Sequence, residues 1–178
     1  MTGQTLVIVG CGAAKRPREL VPGTLRVKRY PAKAVYTSGF STVKSRFAEA
    51  VGDDWMILSA EHGLLAPDEE IAPYDTTIDD LARDELADLA DAVCDDLRTW
   101  IDWGVAEGQT VERVVVLLGR RYRDPLEARG AFEVEPHVEH PLQNPEFGGI
   151  GDQMNWMNQQ IDAHQQSETN IAGGRCRC

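Results

Sequence analysis

Three mostly apolar segments constrain the fold of this sequence more than any other feature. They cover residues 6–9, 55–60 and 111–118, and the third of them is entirely apolar after Arg113. Runs of this length and composition predict strands that are buried on both faces. Helical patterns lie between them, so strands and helices alternate along the chain. This alternation predicts an α/β protein with a mostly parallel central sheet flanked by helices.

The connecting segments complete a Rossmann-like three-layer arrangement. Pro31 opens a predicted helix over residues 31–51, and Gly39 marks a point where that helix splits in two. Thr77 is the predicted N-cap of a long helix. The remaining predicted elements are the long helix over residues 78–103, a short helix over 122–129, a fourth strand over 132–134 and a last helix over 151–165. We expect a single domain over residues 1–165, followed by a flexible C-terminal tail over 166–178.

The composition favours a folded, soluble protein. Hydrophobic residues make up 42% of the 178 residues, which is typical of a globular chain. We expect a cytoplasmic protein and no membrane contact, because no apolar run reaches the ~18 residues of a membrane span. The cysteines at positions 11, 94, 176 and 178 match no zinc or disulfide spacing. We therefore expect no metal and no cofactor, and the sequence leaves the oligomeric state open.

The charge is unevenly distributed. Residues 15–46 carry nine Lys and Arg against the single acid Glu19, a net +8 within a chain of net charge −11. The acidic, lysine-poor remainder indicates a salt-loving host such as a halophilic archaeon. The basic segment either binds a polyanion or phosphate group or pairs with the protein's own acidic helices. Its candidate nucleic-acid contacts are Arg16, Arg26, Lys28, Arg29, Lys33 and Arg46.

Small residues and chemically active groups follow each of the three strands. In a parallel sheet these strand ends meet at one edge, where ligands bind. The candidate catalytic residues are Cys11, Lys15, Glu61 and His62. The candidate ligand-binding residues are Gly12, Ser38, Ser59, Tyr74, Asp75, Arg120 and Tyr122.

Each candidate residue has a functional and a structural interpretation. Cys11 is either a plain buried thiol or a nucleophile whose thiolate form Lys15 favours. His62 either caps a turn or, with Glu61, carries protons. Tyr74 and Asp75 either pack a loop or hold a ligand. Gly12 would let backbone N–H groups approach a phosphate, although the segment is no P-loop.

The same residues carry a family resemblance. The order of these features resembles a group of small uncharacterised proteins, which in turn resembles the YaaA peroxide-stress superfamily. The features are Cys11 with Lys15, the segments at 32–38 and 57–65, the Pro73-Tyr74-Asp75 loop and the segment at 149–153. That resemblance implies a role in DNA binding and in protection against oxidative damage.

A second resemblance is to the core domain of archaeosine synthase. Cys11 and Lys15 match the start of that domain's Cys-x-x-x-Lys-Pro segment, although Arg16 here precedes Pro17. This family adds an amine to the nitrile of a 7-cyano-7-deazaguanine base in tRNA, so the resemblance implies a base-modifying transferase.

Three functional hypotheses follow. The first is an enzyme acting on a nucleobase, with Cys11 as nucleophile and Glu61 or His62 as proton carrier. The second is a non-catalytic nucleic-acid-binding or stress-protection protein that uses the basic segment. The third is a small-molecule phosphate or nucleotide binder.

Overall fold

The computed structural model describes residues 3–173, with side chains described for residues 3–169. A five-stranded sheet lies at its centre, with strands in the order β4-β3-β1-β6-β7. The strands of this sheet are β1 (Gly3–Gly10), β3 (Asp54–Ser59), β4 (Gly63–Leu65), β6 (Thr110–Leu117) and β7 (Val138–Glu139). A separate two-stranded sheet pairs β2 (Tyr30–Pro31) with β5 (Glu70–Ile71).

The sheet is mostly parallel, as the alternating pattern predicts. β1 pairs in parallel with β3 on one side and with β6 on the other, and β6 pairs in parallel with β7. Only β4, at one edge, runs antiparallel to its neighbour β3. The carboxyl ends of β1, β3 and β6 therefore lie along one edge of the sheet.

Helices cover both faces of the sheet. They are α1 (Ala32–Val35), α2 (Gly39–Val51), α3 (Arg83–Ala106), α4 (Arg120–Glu127) and α5 (Ile150–Gly173), with short 3-10 turns at Ile78–Asp80 and Pro141–Gln143. Alternate residues of β1 divide the core in two. Leu6 and Ile8 pack on the face covered by α3, whereas Val7 and Val9 pack on the face covered by α1, α2 and α5. These layers confirm the predicted three-layer fold.

The predicted helix over residues 31–51 is split, as Gly39 suggests. The chain leaves α1 at Tyr36 in an extended conformation and starts α2 at Gly39. Ser38 caps α2, because its side-chain oxygen accepts a hydrogen bond from the Ser41 N–H at 3.1 Å. An N-cap serine stabilises a helix start in this way.

The long helix predicted over residues 78–103 was wrong in its first turn. Thr77 caps only a 3-10 turn, in which its N–H donates to the Asp80 carboxylate at 2.7 Å. The chain then becomes extended at Leu81 and Ala82 before α3 begins. Here the Glu85 carboxylate accepts from the Ala82 N–H at 2.7 Å, so two acidic caps follow one another.

The predicted fourth strand over residues 132–134 was also wrong. Phe132 ends a turn and the two residues after it are irregular. The fourth parallel strand is β7, which pairs Val138 with Val114. The last helix continues to Gly173, beyond its predicted end at residue 165. Cys176 and Cys178 lie outside the described residues. None of the helices in the described range is long and apolar enough to span a bilayer.

Candidate active site

The thiol of Cys11 lies directly after β1, at the carboxyl edge of the sheet. Its backbone N–H donates to the Leu58 carbonyl at 3.0 Å, which extends the pairing of β1 with β3 by one residue. The side chain is half-buried and packs against the core between the sheet and α2. The thiol donates a hydrogen bond to the Tyr122 phenol oxygen, 3.1 Å away on α4.

Lys44 places a buried ammonium group beside this strand end. Only 4% of the residue is exposed, and its Nζ donates to the Gly10 carbonyl at 2.6 Å. Within the described residues no carboxylate lies within 4 Å of this nitrogen. Burial lowers the pKa of Lys44 to about 8, and the nearby Cys11 opposes that shift. The arrangement places a cation without a carboxylate partner next to the thiol.

Gly12 fits closely against the start of α2. A side chain at this position would place its Cβ 2.3 Å from the Ser41 Oγ, so only glycine fits without movement. The Ser38 and Ser41 hydroxyls are bonded to each other at 2.8 Å. The predicted ligand residues Gly12 and Ser38 therefore lie close together. Gly12 is the residue that follows Cys11 in the sequence.

Three hydroxyl groups form a buried chain beside the site. The Tyr74 phenol oxygen lies 2.7 Å from the Ser59 Oγ and 2.6 Å from the Tyr36 phenol oxygen. Ser59 is completely buried at the end of β3. Burial raises the pKa of the Tyr36, Tyr74 and Tyr122 phenols above the ordinary value, and Cys11 raises each of them as well. All three phenols are therefore neutral at pH 7.

The other predicted catalytic residues surround Tyr74. The Lys15 Nζ lies 4.6 Å from the centre of the Tyr74 ring, so it interacts with the ring face. The His62 ring meets the same tyrosine edge-on at 5.1 Å. Glu61 accepts a hydrogen bond from the Thr76 hydroxyl at 2.6 Å and is exposed, as is His62. Lys15, Glu61 and His62 thus lie at the surface side of the site.

Two predicted ligand residues are not drawn into the hydrogen-bond network. Asp75 is exposed next to Tyr74, and Arg120 is exposed at the start of α4. Neither side chain makes a hydrogen bond or ion pair with the described part of the chain. Arg121, beside Arg120, pairs with Asp79.

Several basic residues predicted to bind nucleic acid pair with the protein itself. Lys28 bonds Glu19 at 2.9 Å, and Lys33 bonds Asp68 at 2.9 Å. Arg29 donates to the Glu70 carbonyl, and Arg16 donates to the Ala34 carbonyl at 2.7 Å. Arg26 and Arg46 are exposed, and neither has a carboxylate within 4 Å among the described residues.

Sequence reasoning missed Lys44 and Tyr36 as site residues. Lys44 was counted with the basic segment, yet it falls between Phe40 and Phe47 on the apolar face of α2. A lone charge on an apolar helix face is a signal that could have identified it. Tyr36 belongs to the same segment as Ser38, but no pattern in the sequence shows that its phenol meets Tyr74.

A surface cleft lies away from this site. It has a volume of about 640 Å³ and is formed around β7, with His137 and His140 in its lining. No group of three or more metal-ligating side chains occurs there or elsewhere in the described region. Neither Cys11 nor the hydroxyl chain lines this cleft.

A family model matches residues 6–159 of the chain, which include every residue of the site. The chain belongs to DUF6884, a family of unknown function. This DUF6884 protein is also similar to the uncharacterized protein YfjM of Bacillus subtilis (strain 168). The two are 29% identical over 163 residues, which cover 88% of this chain and 95% of the relative. No solved structure matches it.

Proposed function

We propose that this DUF6884 protein is an enzyme that uses the Cys11 thiol as a nucleophile on a nucleobase. The observation that carries the proposal is the arrangement around the thiol. Cys11 contacts a neutral phenol, lies next to the buried ammonium of Lys44 and packs near a chain of three hydroxyls. A nucleophile, a cation that favours its anionic form and neutral proton donors are what thiol addition needs.

The nucleobase as substrate rests on the resemblance to the archaeosine synthase core. In the proposed reaction the Cys11 sulphur adds to the nitrile carbon of a 7-cyano-7-deazaguanine-type base. A carbon–sulphur bond forms, one π bond of the nitrile breaks, and the nitrogen takes up a proton. An amine then adds to the same carbon, the thiolate leaves, and an amidine remains. No oxidant or reductant takes part.

The test is mass spectrometry of nucleosides from the DNA and tRNA of cells that express the protein with the nitrile base supplied. We expect a modified nucleoside with the wild type and none with Cys11→Ala. Cys94→Ala is the matched control, because Cys94 is a buried thiol on α3 in the other layer of the fold. Identical nucleosides from all three strains would refute the proposal.

Nucleic-acid binding without catalysis is the second candidate. The observation that favours it is a basic surface segment in which Arg18 and Arg26 are exposed and have no carboxylate within 4 Å among the described residues. Phosphate contacts of this kind give binding that weakens steeply with salt. Fluorescence anisotropy with a labelled oligonucleotide at several salt concentrations separates the candidates. Arg18→Glu with Arg26→Glu should abolish binding under this candidate, whereas Cys11→Ala should leave it unchanged.

A further inference from the structure

The direction of the hydrogen bonds in the hydroxyl chain can be worked out from Ser59. The Ser59 Oγ accepts the backbone N–H groups of Glu61 and His62, each at 3.1 Å. A hydroxyl oxygen has two lone pairs, so both are in use. The contact with Tyr74 at 2.7 Å is therefore one in which Ser59 donates its proton to the Tyr74 phenol oxygen.

The two tyrosines carry two phenolic protons, and the hydrogen bond between them uses only one. Tyr36 and Tyr74 each carry a phenolic O–H, and a single hydrogen bond of 2.6 Å joins their oxygens. Tyr74 cannot donate back to Ser59, whose lone pairs are filled. One phenolic proton of the pair thus has no acceptor among the described residues. Both residues are buried, at 8% and 7% exposure, and buried donors normally have a partner.

This pair lies in the same part of the molecule as the thiol. Cys11 and Ser59 lie next to each other at the ends of the paired strands β1 and β3. The Cys11 N–H donates to the carbonyl of Leu58, the residue before Ser59. Cys11 also packs against the core cluster that contains both tyrosines. Burial raises the pKa of both phenols, so the proton stays on oxygen at pH 7.

We propose that the Tyr36–Tyr74 pair donates its remaining phenolic proton, as a hydrogen bond, to the substrate atom that becomes negative when the Cys11 sulphur adds to the neighbouring carbon. For a nitrile this atom is the nitrogen, and for a carbonyl it is the oxygen. Ser59 is a positioning residue, because its donated proton directs the chain toward the tyrosines. The proposal rests on thiol addition in the proposed function and assigns the stabilising role to these phenols rather than to the exposed Glu61 and His62.

Two small reagents separate this role from the reactivity of the thiol itself. Acylation of Cys11 by p-nitrophenyl acetate forms a carbon–sulphur bond, passes through an oxyanion and releases p-nitrophenolate. Alkylation by iodoacetamide forms a carbon–sulphur bond and releases iodide, and no oxyanion develops. The rates of both reactions at Cys11 are measured on the full-length protein at pH 7, with peptide mapping to distinguish Cys11 from the other cysteines. The ratio of the two rates cancels any change in the thiolate population.

We expect the double variant Tyr36→Phe with Tyr74→Phe to lower the ratio of acylation to alkylation at least about tenfold, since it removes the donor to the oxyanion. Tyr30→Phe, a tyrosine of β2 outside the hydroxyl chain, should leave the ratio unchanged. If the double variant does not fold, the two single variants carry the test. At least one of the single variants must lower the ratio, because one of the two phenols is the one that donates its proton to the oxyanion.

An unchanged ratio in folded variants would overturn the proposal, as would a failure of Cys11 to react with either reagent. The outcomes also separate it from the proposed function. A lowered ratio without any modified nucleoside in cells would establish the donor and refute the base chemistry. A modified nucleoside with an unchanged ratio would support the base chemistry and refute the tyrosine donor.

Discussion

The Cys11 thiol and the Tyr122 phenol form a hydrogen bond of 3.1 Å that joins the end of β1 to α4. Burial raises the pKa of Tyr122, so its oxygen keeps its proton at neutral pH. In the proposed reaction a negatively charged Cys11 sulphur has no proton to donate, so the direction of this bond reverses and the phenol donates a charge-assisted hydrogen bond to the sulphur.

The first prediction follows from that reversal. Tyr122→Phe removes the donor to the thiolate, so we expect alkylation of Cys11 by iodoacetamide at pH 7 to slow about tenfold, the equivalent of one charge-assisted hydrogen bond. The measurement is the alkylation rate at Cys11 by mass spectrometry, with Tyr30→Phe as the control. An equal or higher rate in Tyr122→Phe would show that the phenol does not stabilise the thiolate.

The second prediction concerns pH. Burial lowers the pKa of Lys44 from 10.5 to about 8. The unfolded chain keeps this proton up to the higher value, so between pH 8 and 10.5 it binds more protons than the folded protein. Lys44 therefore contributes an increase in stability as the pH rises through this window. We expect Lys44→Met to unfold with a free energy up to about 3 kcal/mol higher than the wild type at pH 7, and the gain to shrink toward pH 10.5.

Urea unfolding at several pH values measures this difference. Lys33→Met is the matched control, because the pKa of exposed Lys33 is raised by its hydrogen bond to Asp68 and the residue stays charged across the same window. A difference between Lys44→Met and the wild type that does not change with pH would contradict the buried, easily deprotonated state of Lys44.

The third prediction tests the fit of Gly12. Gly12→Ala places a methyl group 2.3 Å from the Ser41 Oγ, so we expect it to lower the free energy of unfolding by about 1–3 kcal/mol. Adding Ser41→Ala removes the clashing oxygen and should restore part of the loss. Gly39→Ala lies at the start of α2, the helix that contains Ser41. Its added methyl group meets no atom within 4 Å, so it should not destabilise the protein. Equal stability of the wild type and Gly12→Ala would disprove the close packing.

The fourth prediction concerns Ser59. Ser59→Ala leaves the N–H groups of Glu61 and His62 without their acceptor and the Tyr74 phenol without its donor. We expect a loss of about 1–3 kcal/mol in the free energy of unfolding, the cost of unsatisfied buried polar groups. Ser45→Ala, on α2 and half-buried, should change the free energy by less than about 0.5 kcal/mol. Urea unfolding monitored by tryptophan fluorescence distinguishes the two variants.

The sequence allowed the sheet to be predicted because each of its three long strands contains a run of at least four consecutive apolar residues. β7 was missed since it has only two residues, and its register with Val114 depends on tertiary packing. The split between α1 and α2 was foreseen at Gly39. The break at Leu81 was not foreseen. Asp80 caps the 3-10 turn and Glu85 caps α3, but acidic residues at these positions also fit the first turns of a single helix.

The candidate site was predictable in part. Cys11, Ser59 and Tyr122 were found because the ends of parallel strands converge. Tyr74 was found as a residue of the segment between the second predicted strand and the long helix. Its contact with Tyr36 was not, since two side chains 38 residues apart meet only in the folded chain. Lys44 was read as part of a charged surface, whereas its place on the apolar face of α2 buries it.

The strand order also has a consequence for how the protein is made. One of the two neighbours of β1, the strand β6, lies roughly one hundred residues further along the chain, where Val115 pairs with Val7. During synthesis, the second edge of β1 therefore stays uncovered until β6 has emerged from the ribosome. Cys11, at the end of this strand, leaves the ribosome long before Tyr122 does, so the nascent thiol spends that interval without its hydrogen-bond partner. Until then the thiol also lacks the packing against the core that half-buries it, so the nascent chain exposes it to oxidants more fully than the folded protein does.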